Sequence, residues 1–142
     1  MIPQTEIVIR LLAAVGLGAA IGFERELKEC PAGLRTHAIV ALGSALFTIV
    51  SLVLSAPNVD ISRIAAQVVV GIGFIGGGVI FKAQNKVVGI TTAASLWAVA
   101  GVGLLAGIGD YFTATVGTAM TLGILVFGKL IEREVLHKNQ KE

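Results

Sequence analysis

The chain has 142 residues, 55% of them hydrophobic and only 14% charged, with a net charge of +2. Soluble domains carry about 25% charged residues, so this balance describes a polytopic membrane protein, and so small a net charge without a basic helix argues against a nucleic-acid partner. One cysteine, Cys30, excludes an internal disulfide and a thiolate zinc cluster.

Five apolar stretches predict an all-α chain of five transmembrane helices. The first runs from Ile7 to Phe23, with Arg10 inside its outer end. The start lacks a clustered basic region and the run is followed by Glu24-Arg25-Glu26, so it reads as a retained crossing rather than a cleaved signal. A charged loop, Glu24 to Thr36, leads to a second crossing from His37 to Ser55. A turn containing Pro57 and Asn58 follows. The third crossing, Ile61 to Phe81, is uncharged from Ile64 onward and holds Gly71, Gly73, Gly76, Gly77 and Gly78. In water so much glycine argues against a helix, but in lipid the backbone must bond to itself, and glycine lets a neighbouring helix come close. A loop, Lys82 to Lys86, leads to the fourth crossing, Val87 to Gly109. Asp110 alone separates it from the fifth, Tyr111 to Gly128. Residues 1–136 thus read as one transmembrane domain and 137–142 as a flexible cytoplasmic tail.

Placing the 24–36 loop, the 82–86 loop and the tail on one side puts nine basic residues there: Arg25, Lys28, Arg35, Lys82, Lys86, Lys129, Arg133, Lys138 and Lys141. The other side holds two, Arg10 and Arg63. The positive-inside rule then puts the N-terminus outside and the C-terminus in the cytoplasm. An internal repeat is also suggested. Gly33–Ala38 (GLRTHA) opens crossing two and Gly89–Ala94 (GITTAA) opens crossing four, and the crossings before them share an early arginine and a GxG. The pairs run the same way, as in a parallel duplication of helices 1–2 and 3–4.

Gly71 to Gly76 matches GxGxxG literally, but it lies inside a crossing, without the strand and acidic partner that a dinucleotide site requires. Packing is the better reading. Gly18/Gly22, Gly73/Gly77 and Gly103/Gly107 each put small residues on one helix face. Such faces serve either packing within the chain or a homodimer seam.

The polar candidates gather near the helix ends. Arg10 and Arg63 either snorkel or pair with acids, Glu6 and Asp60 being nearest in sequence; Gln67 lies one turn beyond Arg63. In the first loop, Glu24, Glu26 and Glu29 alternate with Arg25 and Lys28. There Thr36 or Thr91 caps its helix and Glu24 or Glu26 pairs with Arg35, or Arg35 and the threonine-bearing helix ends (Thr36; Thr91-Thr92) bind an anionic group. A third reading has the glutamates hold Mg²⁺ through water. His37 reads as a neighbour of the cap, and the mid-crossing Trp97 as a side chain whose N–H needs a partner such as Ser95. No Ser-His-Asp set or HExxH helix is present, and no cofactor is called for.

Ile21–Glu26 (IGFERE), Ala32–His37 (AGLRTH), Arg63–Ile80 (RIAAQVVVGIGFIGGGVI) and Gly89–Tyr111 resemble the motifs of the MgtC/SapB family of bacterial inner-membrane proteins. The resemblance covers about Arg10 to Phe127. It implies five helices with the N-terminus outside, and a role in adaptation to low magnesium and to life inside host phagocytes. The matching positions are Glu24, Arg25, Glu26, Gly33, Arg35, Thr36, His37, Arg63, Gln67, Gly71, Gly73, Gly76, Thr91, Thr92, Ser95 and Trp97. Many similar members carry a soluble domain after the fifth helix, whereas this sequence stops at Glu142, so a short form is expected. The reading that follows is a non-enzymatic regulator, expected as a homodimer or bound to another inner-membrane protein. The alternative is a small transporter or channel, for Mg²⁺ or another ion, with its path near Glu24, Arg35, Arg63 and Gln67.

Overall fold

In a computed structural model, which describes residues 2–55, 60–83 and 86–138 and side chains as far as 128, the chain forms five helices. They are α1 (Gln4–Leu27), α2 (Leu34–Val53), α3 (Ser62–Gly78), α4 (Ile90–Ile108) and α5 (Tyr111–Lys138). Four of them, α1, α2, α4 and the Tyr111–Gly128 part of α5, are long and apolar enough to cross a membrane. The turn predicted around Pro57 and Asn58 lies outside the described residues, as do positions 139–142 of the expected tail.

Helix α2 is the centre of the bundle, with α1 and α4 packed closely against it. The contact surface is made of small residues. Ala41 and Ala45 of α2 are fully buried, as are Ala14 of α1 and Ala106 of α4. A Cβ on Gly18 would stand 2.6 Å from the Ala41 Cβ, and one on Gly107 2.6 Å from the Thr48 Cβ. Backbones therefore approach more closely than larger side chains would allow, which is how helices associate when lipid removes the hydrophobic drive between them. Large apolar side chains such as Leu12, Phe74, Phe112 and Ile124 point outward instead. Some hydroxyls in the spans are satisfied within their own helices: Thr48 donates to the Ser44 carbonyl and Thr118 to that of Ala114, each at 2.9 Å.

The ends of the helices are set by local chemistry. α1 stops with Glu29 in the left-handed region (φ 52°), where the Cys30 amide bonds the Arg25 carbonyl and the Glu29 amide that of Glu26. α4 ends the same way around Gly109 (φ 90°), with Asp110 bonding back to Leu105. Asp110 then turns to the next helix: its carboxylate accepts the Thr113 amide at 3.0 Å and caps α5. Hydrogen bonds from Thr113 hold this carboxyl below its ordinary range.

The third crossing departs most from expectation. The helix covers 17 residues rather than the whole of Ile61–Phe81, and it is the most exposed of the five; only Ile72 and Gly76 are buried. After Gly76-Gly77-Gly78 the β-prone Val79-Ile80-Phe81 do not continue the helix. Phe81–Ala83 instead pairs antiparallel with Lys86–Val88, Phe81 opposite Val88, so the expected loop and the start of crossing four form a hairpin. Among the described residues this ribbon is the only regular structure that is not helical.

Candidate functional site

The charged end of α1 folds into a buried polar cluster. Glu24 and Arg25 are both buried although both are ionisable. The Glu24 carboxylate forms an ion pair with Lys28, one turn on, and lies 3.4 Å from the Arg25 guanidinium. That guanidinium also contacts the Cys30 sulfur, and its Nε has no hydrogen-bond partner among the described residues. Lys28 Nζ donates to the Leu125 carbonyl at 3.1 Å, tying the end of α1 to α5.

His37 is fully buried where α1, α2 and α4 meet. It fits because Gly22 faces it: a Cβ there would stand 2.9 Å from the His37 Cβ. Nδ1 lies 2.9 Å from the Gly33 carbonyl and Nε2 2.9 Å from the Ser95 hydroxyl. A carbonyl only accepts, so Nδ1 carries the proton, and in the neutral ring Nε2 accepts from Ser95. The Ser95 oxygen is also 2.8 Å from the Thr92 carbonyl. One hydroxyl proton is thus shared between the His37 ring and the Thr92 carbonyl.

Several predicted contacts are replaced by others. Neither Thr36 nor Thr91 caps a helix; the N-caps of α2 and α4 are Gly33 and Gly89, with no side-chain cap. The α2 end is held from outside by Glu26, whose carboxylate accepts the Leu34 amide at 3.0 Å. A Cβ on Gly33 would displace that carboxylate from the amide. Arg35 is exposed and makes no ion pair with Glu24 or Glu26. Arg35→Ala is accordingly expected to leave the detergent melting temperature unchanged, an exposed substitution being worth less than about 0.5 kcal/mol. Ser95 serves His37 rather than Trp97, which is 58% exposed. Thr91 is exposed, Thr92 buried. Glu24, Glu26 and Glu29 do not converge, and among the described residues no three His, Cys, Asp or Glu side chains form a metal-ligating group.

Arg63 and Gln67 lie elsewhere. α3 begins beside the end of α2, where Ser51 donates to the Ile61 carbonyl. Glu24 and Arg35 lie at the opposite end of α2, whose 20 residues span about 30 Å. The candidates thus form two groups, one at each end of α2. Gln67 borders an apolar groove between α2 and α3, and Arg63 is exposed.

The glycines also divide. Gly18, Gly22, Gly103 and Gly107 lie against α2, and Gly76 lies near Ala93 of α4. Gly71, Gly73 and Gly77 have open space, with nothing within 4 Å of a built Cβ. Their packing role is not met within the chain.

A second polar knot, part of which the sequence offered as Arg10 with Glu6, closes the other end. Arg10 pairs with Glu6 at 3.0 Å and donates to the Gly107 carbonyl at 2.9 Å, while the Tyr111 hydroxyl donates to Glu6 at 2.8 Å. Arg10 is drawn into protein rather than out toward solvent. The Glu6–Arg10 spacing was a usable signal; the Tyr111 partner, 105 residues away, was not.

The model of the MgtC family matches residues 11–134. A protein of Escherichia coli named "Putative magnesium transporter YhiD" is 46% identical over 142 aligned positions, covering 94% of this chain and 66% of its own length. An uncharacterized protein of Haemophilus influenzae is 42% identical, with 93% and 59% covered. Protein MgtC of Salmonella typhimurium is 47% identical over 115 positions, with 81% and 49% covered. The chain therefore spans between about half and two thirds of the length of these relatives. No solved structure matches.

Proposed function

The chain belongs to the MgtC family of membrane proteins, and from that premise we propose that it is a non-enzymatic membrane-embedded regulator that works by binding another transmembrane helix. The observation that carries this reading is the open side of α3. Gly73 and Gly77 stand one turn apart on an exposed apolar helix, whereas the paired glycines of α1 and α4 are already in contact with α2. In a bilayer such a face favours close helix association. The partner proposed is α3 of a second copy, in the inner membrane of a bacterium, with α3 completing five crossings and the N-terminus outside. The buried cluster around Glu24, Arg25 and His37 serves as a lock that holds α1, α2 and α4 together beneath that face. Labelling of Lys86 in intact cells tests the orientation, with access expected only after the inner membrane is permeabilised.

Dimerisation is read by fluorescence transfer between labelled copies in liposomes. Gly73→Leu/Gly77→Leu is expected to abolish the transfer while leaving the fold intact; persistent transfer would overturn the seam. A transporter reading is favoured by the name of the Escherichia coli relative, and by Gln67 at the groove. Proteoliposomes with an enclosed Mg²⁺ indicator separate the two. No Mg²⁺ entry above empty vesicles is expected, and entry by the parent chain that is lost on Gln67→Ala would replace the regulator with a transporter.

A further inference from the structure

The groove between α2 and α3 has a volume of about 730 Å³. Its walls are apolar, with Phe47 and Val50 on the α2 side and Ile64 and Ile75 on the α3 side. Each wall also carries a glycine, Gly43 or Gly71, and a Cβ on either would meet nothing within 4 Å. These glycines do not bring helices together; they keep the space wide. Because α2 spans the bilayer, an apolar cleft along it faces acyl chains.

The polar end of the groove has a distinct chemistry. Arg63, Gln67, Gly71 and Ile75 follow one another at i, i+4, forming a single ridge of α3, and the last three line the cleft. Arg63 heads that ridge in the first turn of the helix and is exposed. Its nearest acid in sequence, Asp60, accepts the Ser62 amide at 2.9 Å and the Ser62 hydroxyl at 2.6 Å, and meets Arg63 only through its field, without direct contact. Among the described residues Arg63 makes no ion pair. A free guanidinium one turn above the amide at the mouth of an apolar cleft matches a phosphodiester carried on an acyl chain.

We propose that the α2–α3 groove binds one anionic phospholipid, with an acyl chain between Gly43 and Gly71 and its phosphate on Arg63. This site lies on the opposite side of α3 from Gly73 and Gly77, so it stands or falls apart from the dimer.

Native mass spectrometry of the full chain in detergent tests it, with phosphatidylglycerol and phosphatidylcholine added separately. One phosphatidylglycerol is expected to be retained in preference to phosphatidylcholine. Arg63→Gln is expected to weaken phosphatidylglycerol retention about tenfold, the loss of one charge-assisted contact, and to erase the preference. Gly43→Leu and Gly71→Leu fill the cleft from opposite walls and are expected to lower retention of both lipids without lowering the melting temperature. Equal retention of the two lipids by the unmodified chain would overturn the proposal. So would undiminished retention by either leucine variant, and Arg63→Gln decides the charge even if a leucine variant does not fold.

Discussion

Gly22→Leu is expected to prevent the bundle from assembling. A Cβ at this position would lie 2.6 Å from the Leu34 Cα and 2.8 Å from the Gly33 carbonyl oxygen. Both are backbone atoms, so no rotamer change relieves the clash, and α1 and α2 must separate. Overpacking a core costs about 1–3 kcal/mol when side chains can adjust, and this site lies at or beyond the upper end. Leucine is the better helix former by about 1 kcal/mol, which is too little to offset it. Separation would also withdraw the wall against which His37 is held. Denaturation in mixed micelles gives the measurement, with Gly16→Leu on the same helix as the control. That position has open space around it, so its variant is expected to unfold no earlier than the parent chain. If both variants were equally stable, the close approach of α1 to α2 would be wrong.

The second large effect is expected from Glu24→Ala. The side chains of Arg25 and Glu24 are 9% and 11% exposed. Removing the carboxylate leaves the Arg25 guanidinium buried with the Cys30 sulfur as its remaining contact, and deprives Lys28 of its acid. Breaking a buried ion pair from one side costs about 3–5 kcal/mol, because the surviving charge is uncompensated. Glu24→Ala/Arg25→Met removes both and should recover part of the loss. A melting temperature for Glu24→Ala equal to that of the parent would show that the carboxylate does not hold the guanidinium.

Both effects concern residues whose type was legible in the sequence and whose partners were not. The i, i+4 glycine pairs announce close helix contact, but the same spacing occurs in Gly18/Gly22, which faces α2, and in Gly73/Gly77, which faces outward. Local pattern specifies a helix face and not its neighbour. The charged loop was recognisable as the richest polar segment. Pairing with Arg35 is one reading the sequence allows, yet Lys28, one helical turn on, and the adjacent Arg25 are the nearer cations. Capping went the same way: Glu26 reaches the α2 amides before Thr36 is needed. The His37–Ser95 contact joins residues 58 apart and depends on how three helices cross, which no periodicity records. The third crossing misled because hydropathy alone does not see that three successive glycines followed by β-branched residues end a helix early.

That early ending bears on the bilayer itself. Seventeen helical residues reach about 26 Å, short of a hydrocarbon layer about 30 Å thick. With α3 as the fifth crossing proposed above, the surrounding leaflets would have to pinch inward beside it, or the ribbon after it would have to sink. Either response costs a fraction of a kcal/mol per Å, so lipids with shorter tails should gather on that flank, and the protein itself should drift toward the thinner regions of its membrane.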